Sequence, residues 1–169
     1  SGTTGADSIS AGAGNDTING FVGADTVDGG TGTDTLVLTA TSSDLNIATD
    51  VQLVNVEAIS ASTATTGVSL MLSAQTEGFT ITGSSLADTI TGASGADSIS
   101  AGDGDDVING FVGADTIDGG AGTDTIVLTA TSATLNTATD AQVVNVEAIS
   151  ASTATTGVSL MLSAQTEGF

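Results

Sequence analysis

An aspartate returns every nine residues, as Asp7, Asp16, Asp25 and Asp34 in one run and Asp88, Asp97, Asp106, Asp115 and Asp124 in a second. A glycine stands two residues before each, except at Leu86, and an Ile, Val or Leu stands two residues after each. Carboxylates can act as acids and bases, as nucleophiles, or as ligands for hard cations. The sequence has no His, Cys, Lys or Arg to activate a nucleophile or share a proton. Carboxylates in strict register, beside glycines whose carbonyls are accessible, make an oxygen-only ligand set. Such a set suits a hard divalent ion rather than zinc or copper. A carboxylate pair for glycoside hydrolysis would compete with that ion for the same residues, so catalysis is the least favoured reading.

The charge supports an external cation. The 169 residues carry 20 Asp plus Glu and a formal charge of -20, with nothing cationic to pair them. High net charge with few aromatics usually favours disorder. Here 39% of residues are hydrophobic and mean hydropathy is +0.32, enough for a core once the charge is cancelled. Neither Cys nor Pro is present, so there is no disulfide framework and nothing to break strand ladders. No apolar run approaches the roughly 20 residues of a membrane-spanning helix, and no signal peptide opens the chain. The lack of basic residues argues against nucleic acid and anionic membranes as partners.

The elements that must position the aspartates follow from two nested periods. Segments such as Ser8-Ile9-Ser10 and Thr26-Val27-Asp28 alternate as half-buried strands do. They place Ile9, Ile18, Val27 and Leu36, then Ile90, Ile99, Ile108, Ile117 and Ile126, on an inward apolar ladder. Glycines supply the positive φ of the turns. The longer period is 90 residues: Gly5–Ser10 returns as Gly95–Ser100, and Val54–Phe79 returns unchanged as Val144–Phe169. The chain starts and stops partway through a unit, which points to a segment of a longer tandem array. Four segments are expected: aspartate runs at 1–37 and 86–127, and metal-free segments at 38–85 and 128–169. In the latter, Val68, Leu70 and Leu72, then Phe79 and Ile81, still alternate with polar residues, so the solenoid should continue with wider coils. Residues 44–52 are the expected helical or irregular excursion, with Asp44 as N-cap and Thr134 at the equivalent position. Glu57 and Glu147 are expected to be exposed strand residues rather than further ligands.

The nonapeptides share the form G-x-x-G-x-D-x-U-x, and Gly29-Gly30-Thr31-Gly32-Thr33-Asp34-Thr35-Leu36 has both leading glycines. This pattern resembles the RTX (hemolysin-type) calcium-binding nonapeptide, a Ca²⁺-binding β-helix signature, over roughly half the chain. The segments between the runs resemble, more loosely, those of bacterial S-layer and large secreted surface proteins. The resemblance implies an all-β parallel β-roll, or β-solenoid, with several Ca²⁺ ions in its turns. Six residues would form each turn and three each strand, two nonapeptides making one coil. It implies that carboxylates bridge successive ions, pairing Asp7 with Asp25, Asp16 with Asp34, Asp88 with Asp106, Asp97 with Asp115, and Asp106 with Asp124. Carbonyls near Gly5, Gly12, Gly14, Gly23, Gly30, Gly32, Gly95, Gly102, Gly104, Gly113, Gly120 and Gly122 would complete the sites. Asn15, Asp103 and Asp105 lie in the same turns and could hydrogen-bond or ligate, whereas Asp28 and Asp118 should face solvent or flank a site. Leu86, and Phe21 and Phe111 at second-glycine positions, depart from the pattern, and the Leu86 turn should bind poorly or form the first coil of its run.

Carboxylates stacked about 5 Å apart repel by roughly 3 kcal/mol at an effective dielectric near 20, against a typical domain stability of about 5–15 kcal/mol. Calcium binding therefore becomes folding energy. The leading expectation is a structural repeat of a secreted bacterial surface protein (S-layer, adhesin or extracellular fibre) that folds after export and self-associates into arrays. The resemblance implies type I secretion. The alternative is the RTX tail of a secreted enzyme or toxin, assisting export and folding. Ice binding by outward Thr ladders is disfavoured, because positions three and five of the nonapeptide carry Thr, Ala, Val, Asn and Asp without register.

Overall fold

The computed structural model describes residues 3–166 and 168–169. The tripeptides that alternate in the sequence are strands, and the aliphatic residue at the centre of each points inward. The first unit contributes β1 (Ser8–Ala13), β2 (Thr17–Asn19), β3 (Thr26–Thr31), β4 (Thr35–Val37), β5 (Leu53–Val54), β6 (Ala58–Ser60), β7 (Ser69–Met71), β8 (Thr80–Thr82) and β9 (Thr89–Thr91). The second contributes β10 (Ser98–Asp103), β11 (Val107–Asn109), β12 (Thr116–Ala121), β13 (Thr125–Val127), β14 (Val143–Val144) and β15 (Ala148–Ser150). Every pairing is parallel. The chain is an all-β parallel solenoid, and its coils stack without a break from the aspartate runs into the segments between them.

Even-numbered strands form one seven-stranded sheet from β2 to β14. Odd-numbered strands form the other side, as a three-stranded sheet β1-β3-β5 and a five-stranded sheet from β7 to β15. Between the two stands a single 3₁₀ turn, Leu45–Ile47, whose Asn46 bridges to β7. The Asn46 amide donates to the Ser69 carbonyl at 3.0 Å, and the Met71 N–H donates to Asn46 Oδ1 at 2.8 Å. Leu135–Thr137 repeats this turn in the second unit. The inward files meet in one core, where Val27, Leu36, Ile59, Ile81, Ile90, Ile108 and Ile126 are all buried. Short and wide coils stack in register because their inward residues do, as in Ile59↔Ile81 and Leu70↔Ile90.

Two details differ from expectation. The strands β1, β3, β10 and β12 run beyond the tripeptide, because the ladder continues into the turn through Gly12↔Gly30 and Gly102↔Gly120. Positive φ at these glycines lets the chain bend while keeping the register. The excursion is helical, but neither Asp44 nor Thr134 makes a side-chain cap bond. Ser42 and Ser132 cap it instead: each hydroxyl accepts the N–H of Leu45 or Leu135 and donates to the carbonyl of Phe21 or Phe111. The Asp44 carboxylate accepts the Gly23 N–H.

The repeating unit holds nine strands, an odd number. Ile18 on β2 therefore lies in the seven-stranded sheet, while its equivalent Ile108 on β11 lies in the sheet opposite. Consecutive units are related by a half-turn about the solenoid axis.

Candidate calcium turns

Each aspartate precedes its strand by one residue, so strand register stacks the aspartates along the two edges of the solenoid. The Asp16 N–H donates to Asp34 Oδ1 at 2.7 Å, that of Asp88 to Asp106 at 2.7 Å, and that of Asp106 to Asp124 at 2.8 Å. Asp7 to Asp25 (2.9 Å) and Asp97 to Asp115 (3.0 Å) repeat the contact. All five pairs anticipated from the sequence are thus neighbours across one coil. One edge carries Asp16, Asp34, Asp97 and Asp115, and the other carries Asp7, Asp25, Asp88, Asp106 and Asp124.

The ladder extends beyond the aspartates. Glu57 and Glu147 are exposed, as expected, yet the Asp34 N–H donates to Glu57 Oε2 at 2.8 Å and the Asp124 N–H to Glu147 Oε2 at 2.7 Å. The local signal was Glu-Ala-Ile-Ser in the place of Asp-Thr-Leu-Val. The excursion hid it by stretching the interval from Asp34 to Glu57 well past the nonapeptide. In the wider coils the rung is apolar: Val68 N–H donates to Asp88 Oδ1 and Phe79 N–H to Asp97 Oδ1.

The nine aspartates differ in their second carboxylate oxygen. Those of Asp25 and Asp115 accept the N–H of Val22 and Val112 at 3.0 and 2.8 Å. Asp97 Oδ2 accepts the Ala93 N–H, Asp88 Oδ2 the Ser84 N–H, and Asp7 Oδ2 the Thr3 N–H. These turns close on their own aspartate. Asp16, Asp34, Asp106 and Asp124 have a buried Oδ2 with no hydrogen-bond partner among the described residues. A buried, unpaired carboxylate oxygen is costly, and it is what a cation would satisfy.

The glycines follow the same division. In the turns before Asp16, Asp34, Asp106 and Asp124, Gly12, Gly14, Gly30, Gly32, Gly102, Gly104, Gly120 and Gly122 all have positive φ. Successive turns nest so closely that a Cβ on Gly30 would collide with the Gly12 carbonyl oxygen, and one on Gly120 with that of Gly102. Asn55 and Asn145, at φ 51, present a carbonyl to Gly29 and Gly119, against which Asp34 Oδ2 and Asp124 Oδ2 also pack. The turns before Asp25 and Asp115 place one of their positive-φ glycines a residue earlier, at Gly20 and Gly110. Gly23 and Gly113 have positive φ over Gly5 and Gly95, but the Gly23 carbonyl is taken by the Asp25 N–H. Phe21 and Phe111 are buried where a second glycine would stand.

Asn15 and Asp105 accept N–H bonds from Thr33 and Thr123 in the next turn. Asp28 and Asp118 face solvent and accept from Asn55 and Asn145. Asp103 is exposed. Burial pushes the Asp106 carboxyl up to about 6, with Asp88, Asp124 and Asp105 adding repulsion. Burial likewise raises Asp97, Asp115 and Asp124, whereas the Thr3 N–H and hydroxyl hold Asp7 low. Among the described residues no three acidic side chains converge on one point. Any ion here must draw on backbone carbonyls, which suits the many-oxygen shell of Ca²⁺.

A family model for the RTX calcium-binding nonapeptide repeat, in four copies, matches residues 1–36, 82–110 and 91–126. The matches fall on the two aspartate runs and leave most of the intervening segments uncovered. No curated protein and no solved structure matches the chain. Among the described residues no helix is long and apolar enough to cross a membrane.

Proposed function

We propose, on the premise that both aspartate runs are RTX calcium-binding nonapeptide repeats, that this chain is a calcium-folded spacer of a secreted bacterial surface protein, of the S-layer, adhesin or extracellular-fibre kind. The observation that carries the reading is the set of four buried carboxylate oxygens without a donor, in a sequence that has no cation of its own. When bound, calcium supplies the positive charge that lets stacked carboxylates share one edge. The chain's own residues do the rest. Glycines expose carbonyls, and the inward aliphatic file fixes the coil spacing. Backbone N–H groups hold the first carboxylate oxygen of Asp25, Asp34, Asp88, Asp97, Asp106, Asp115 and Asp124.

Extracellular modules bind Ca²⁺ at about 10⁻⁴–10⁻³ M. Affinity in that range leaves the chain unfolded at cytosolic calcium and folds it outside the cell. Near-identical tandem units favour a length-setting role and self-association along the solenoid axis over the rival role, an RTX tail that helps export an enzyme or toxin. The reading assigns no catalytic step to the chain. Circular dichroism across a calcium titration tests it. We expect β signal to appear cooperatively in the submillimolar to millimolar range. Full β signal in excess chelator would overturn the reading.

A further inference from the structure

We propose that calcium is held by only one cluster of turns per repeating unit, at Asp16 and Asp34 in the first and at Asp106 and Asp124 in the second, on opposite edges of the solenoid. The other five aspartates are turn-closing residues, not ligands. The inference rests on the calcium reading above and narrows it to particular residues.

Two features set the same four aspartates apart, and a third bears on two of the remaining turns. The first is the donor count. Asp16, Asp34, Asp106 and Asp124 each leave one buried oxygen unpartnered. Both oxygens of Asp25, Asp88, Asp97 and Asp115 accept backbone N–H groups, one from the preceding coil and one from their own turn. A carboxylate holding two N–H donors has already replaced its hydration. The second is backbone shape. Among the described residues, only the four open turns have left-handed glycines at both positions four and two residues before the aspartate, such as Gly12 and Gly14 before Asp16. The third is volume. Phe21 and Phe111 fill the closed turns before Asp25 and Asp115 with a buried ring, and a serine hydroxyl holds the carbonyl of each Phe.

Each cluster ends at a glutamate, Glu57 or Glu147, whose carboxylate holds the N–H of the last aspartate. The closed turns continue the same stack without an open oxygen. Because the unit contains nine strands, the open turns change edge from one unit to the next. The edge opposite each cluster is held by hydrogen bonds and apolar packing alone.

The test compares two double variants of the intact chain, with bound calcium counted by equilibrium dialysis and elemental analysis. Asp34→Asn with Asp124→Asn should remove at least half of the bound calcium and raise the Tm in chelator, since a buried charge is lost. Asp25→Asn with Asp115→Asn should leave the calcium count at the wild-type value but lower the Tm in calcium. In those closed turns an amide NH₂ would face the N–H of Val22 or Val112. Equal calcium loss in both double variants, with β signal retained, would overturn the inference. If the second pair does not fold, anomalous scattering from calcium in crystals of the wild-type chain decides. Ions beside Asp16, Asp34, Asp106 and Asp124 support the assignment, and ions beside Asp25 or Asp115 overturn it. A wild-type chain that binds no calcium would bring down the functional reading itself, and it is told apart because it needs no variant.

Discussion

At the scale of the residue, the decisive quantity is how many donors each carboxylate oxygen finds. Asp106 has one oxygen held by an N–H and one held by nothing, and burial lifts its carboxyl to about 6. A group whose pKa is higher in the folded chain than in the unfolded one binds protons on folding. The folded form therefore gains stability as pH falls through about 6 and loses it as pH rises. In chelator, acidification from pH 7 to pH 5 should increase β signal by circular dichroism, and calcium affinity should weaken over the same interval because protons compete for the same oxygens. Glycine gives a second residue-scale expectation. Gly30→Ala puts a Cβ on the Gly12 carbonyl at a φ of +101. Left-handed strain costs about 1–2 kcal/mol, and the clash adds to it. A drop in Tm of more than 5 °C in calcium is expected, against almost no change for Gly157→Ala, where a Cβ meets nothing within 4 Å. The aspartates, the aliphatic files and the turn glycines were all legible in the sequence because each repeats at nine. The difference between open and closed carboxylates was not legible as chemistry, since it depends on where the Val22, Ser84 and Ala93 N–H groups point. Phe21 and Phe111 marked the departure without saying what it does.

At the scale of the element, a turn is defined by what replaces its second glycine. Phe21 is buried at the start of a closed turn, and the Ser42 hydroxyl binds its carbonyl from the excursion that follows. Truncating a buried phenylalanine typically costs about 3–5 kcal/mol. Phe21→Ala should lower the Tm substantially in saturating calcium, measured by differential scanning calorimetry, while leaving the number of bound ions unchanged. A loss of ions would mean that the closed turn also holds metal. The excursion shows where sequence reasoning stops for elements. Asp44 has the residue type of an N-cap, but its carboxylate accepts the Gly23 N–H and the cap falls to Ser42 two residues earlier. The choice is made by the neighbouring coil, which a local pattern does not contain. The same cause hid Glu57, whose rung is set by the pairing of β6 on β4 rather than by any interval along the chain.

At the scale of the whole molecule, the half-turn between units makes the two broad faces equivalent after an axial shift. Coils rise about 4.8 Å, so four and a half of them advance about 22 Å per unit. Filaments of several tandem units, imaged with calcium present, should show features on alternate sides at that spacing and a full repeat at twice it. Features that all fall on one side, once per unit, would contradict the odd strand count.

An odd count also constrains how such a chain can change. Loss of a single nine-residue repeat leaves every later coil able to close, because each strand still finds a parallel neighbour and an apolar file to join. It would nevertheless send all subsequent turns to the other edge. Loss of two would restore them. The fold thus tolerates insertion and deletion by the strand while keeping a parity, and the side on which the open carboxylates emerge records whether the number of strands before them is odd or even.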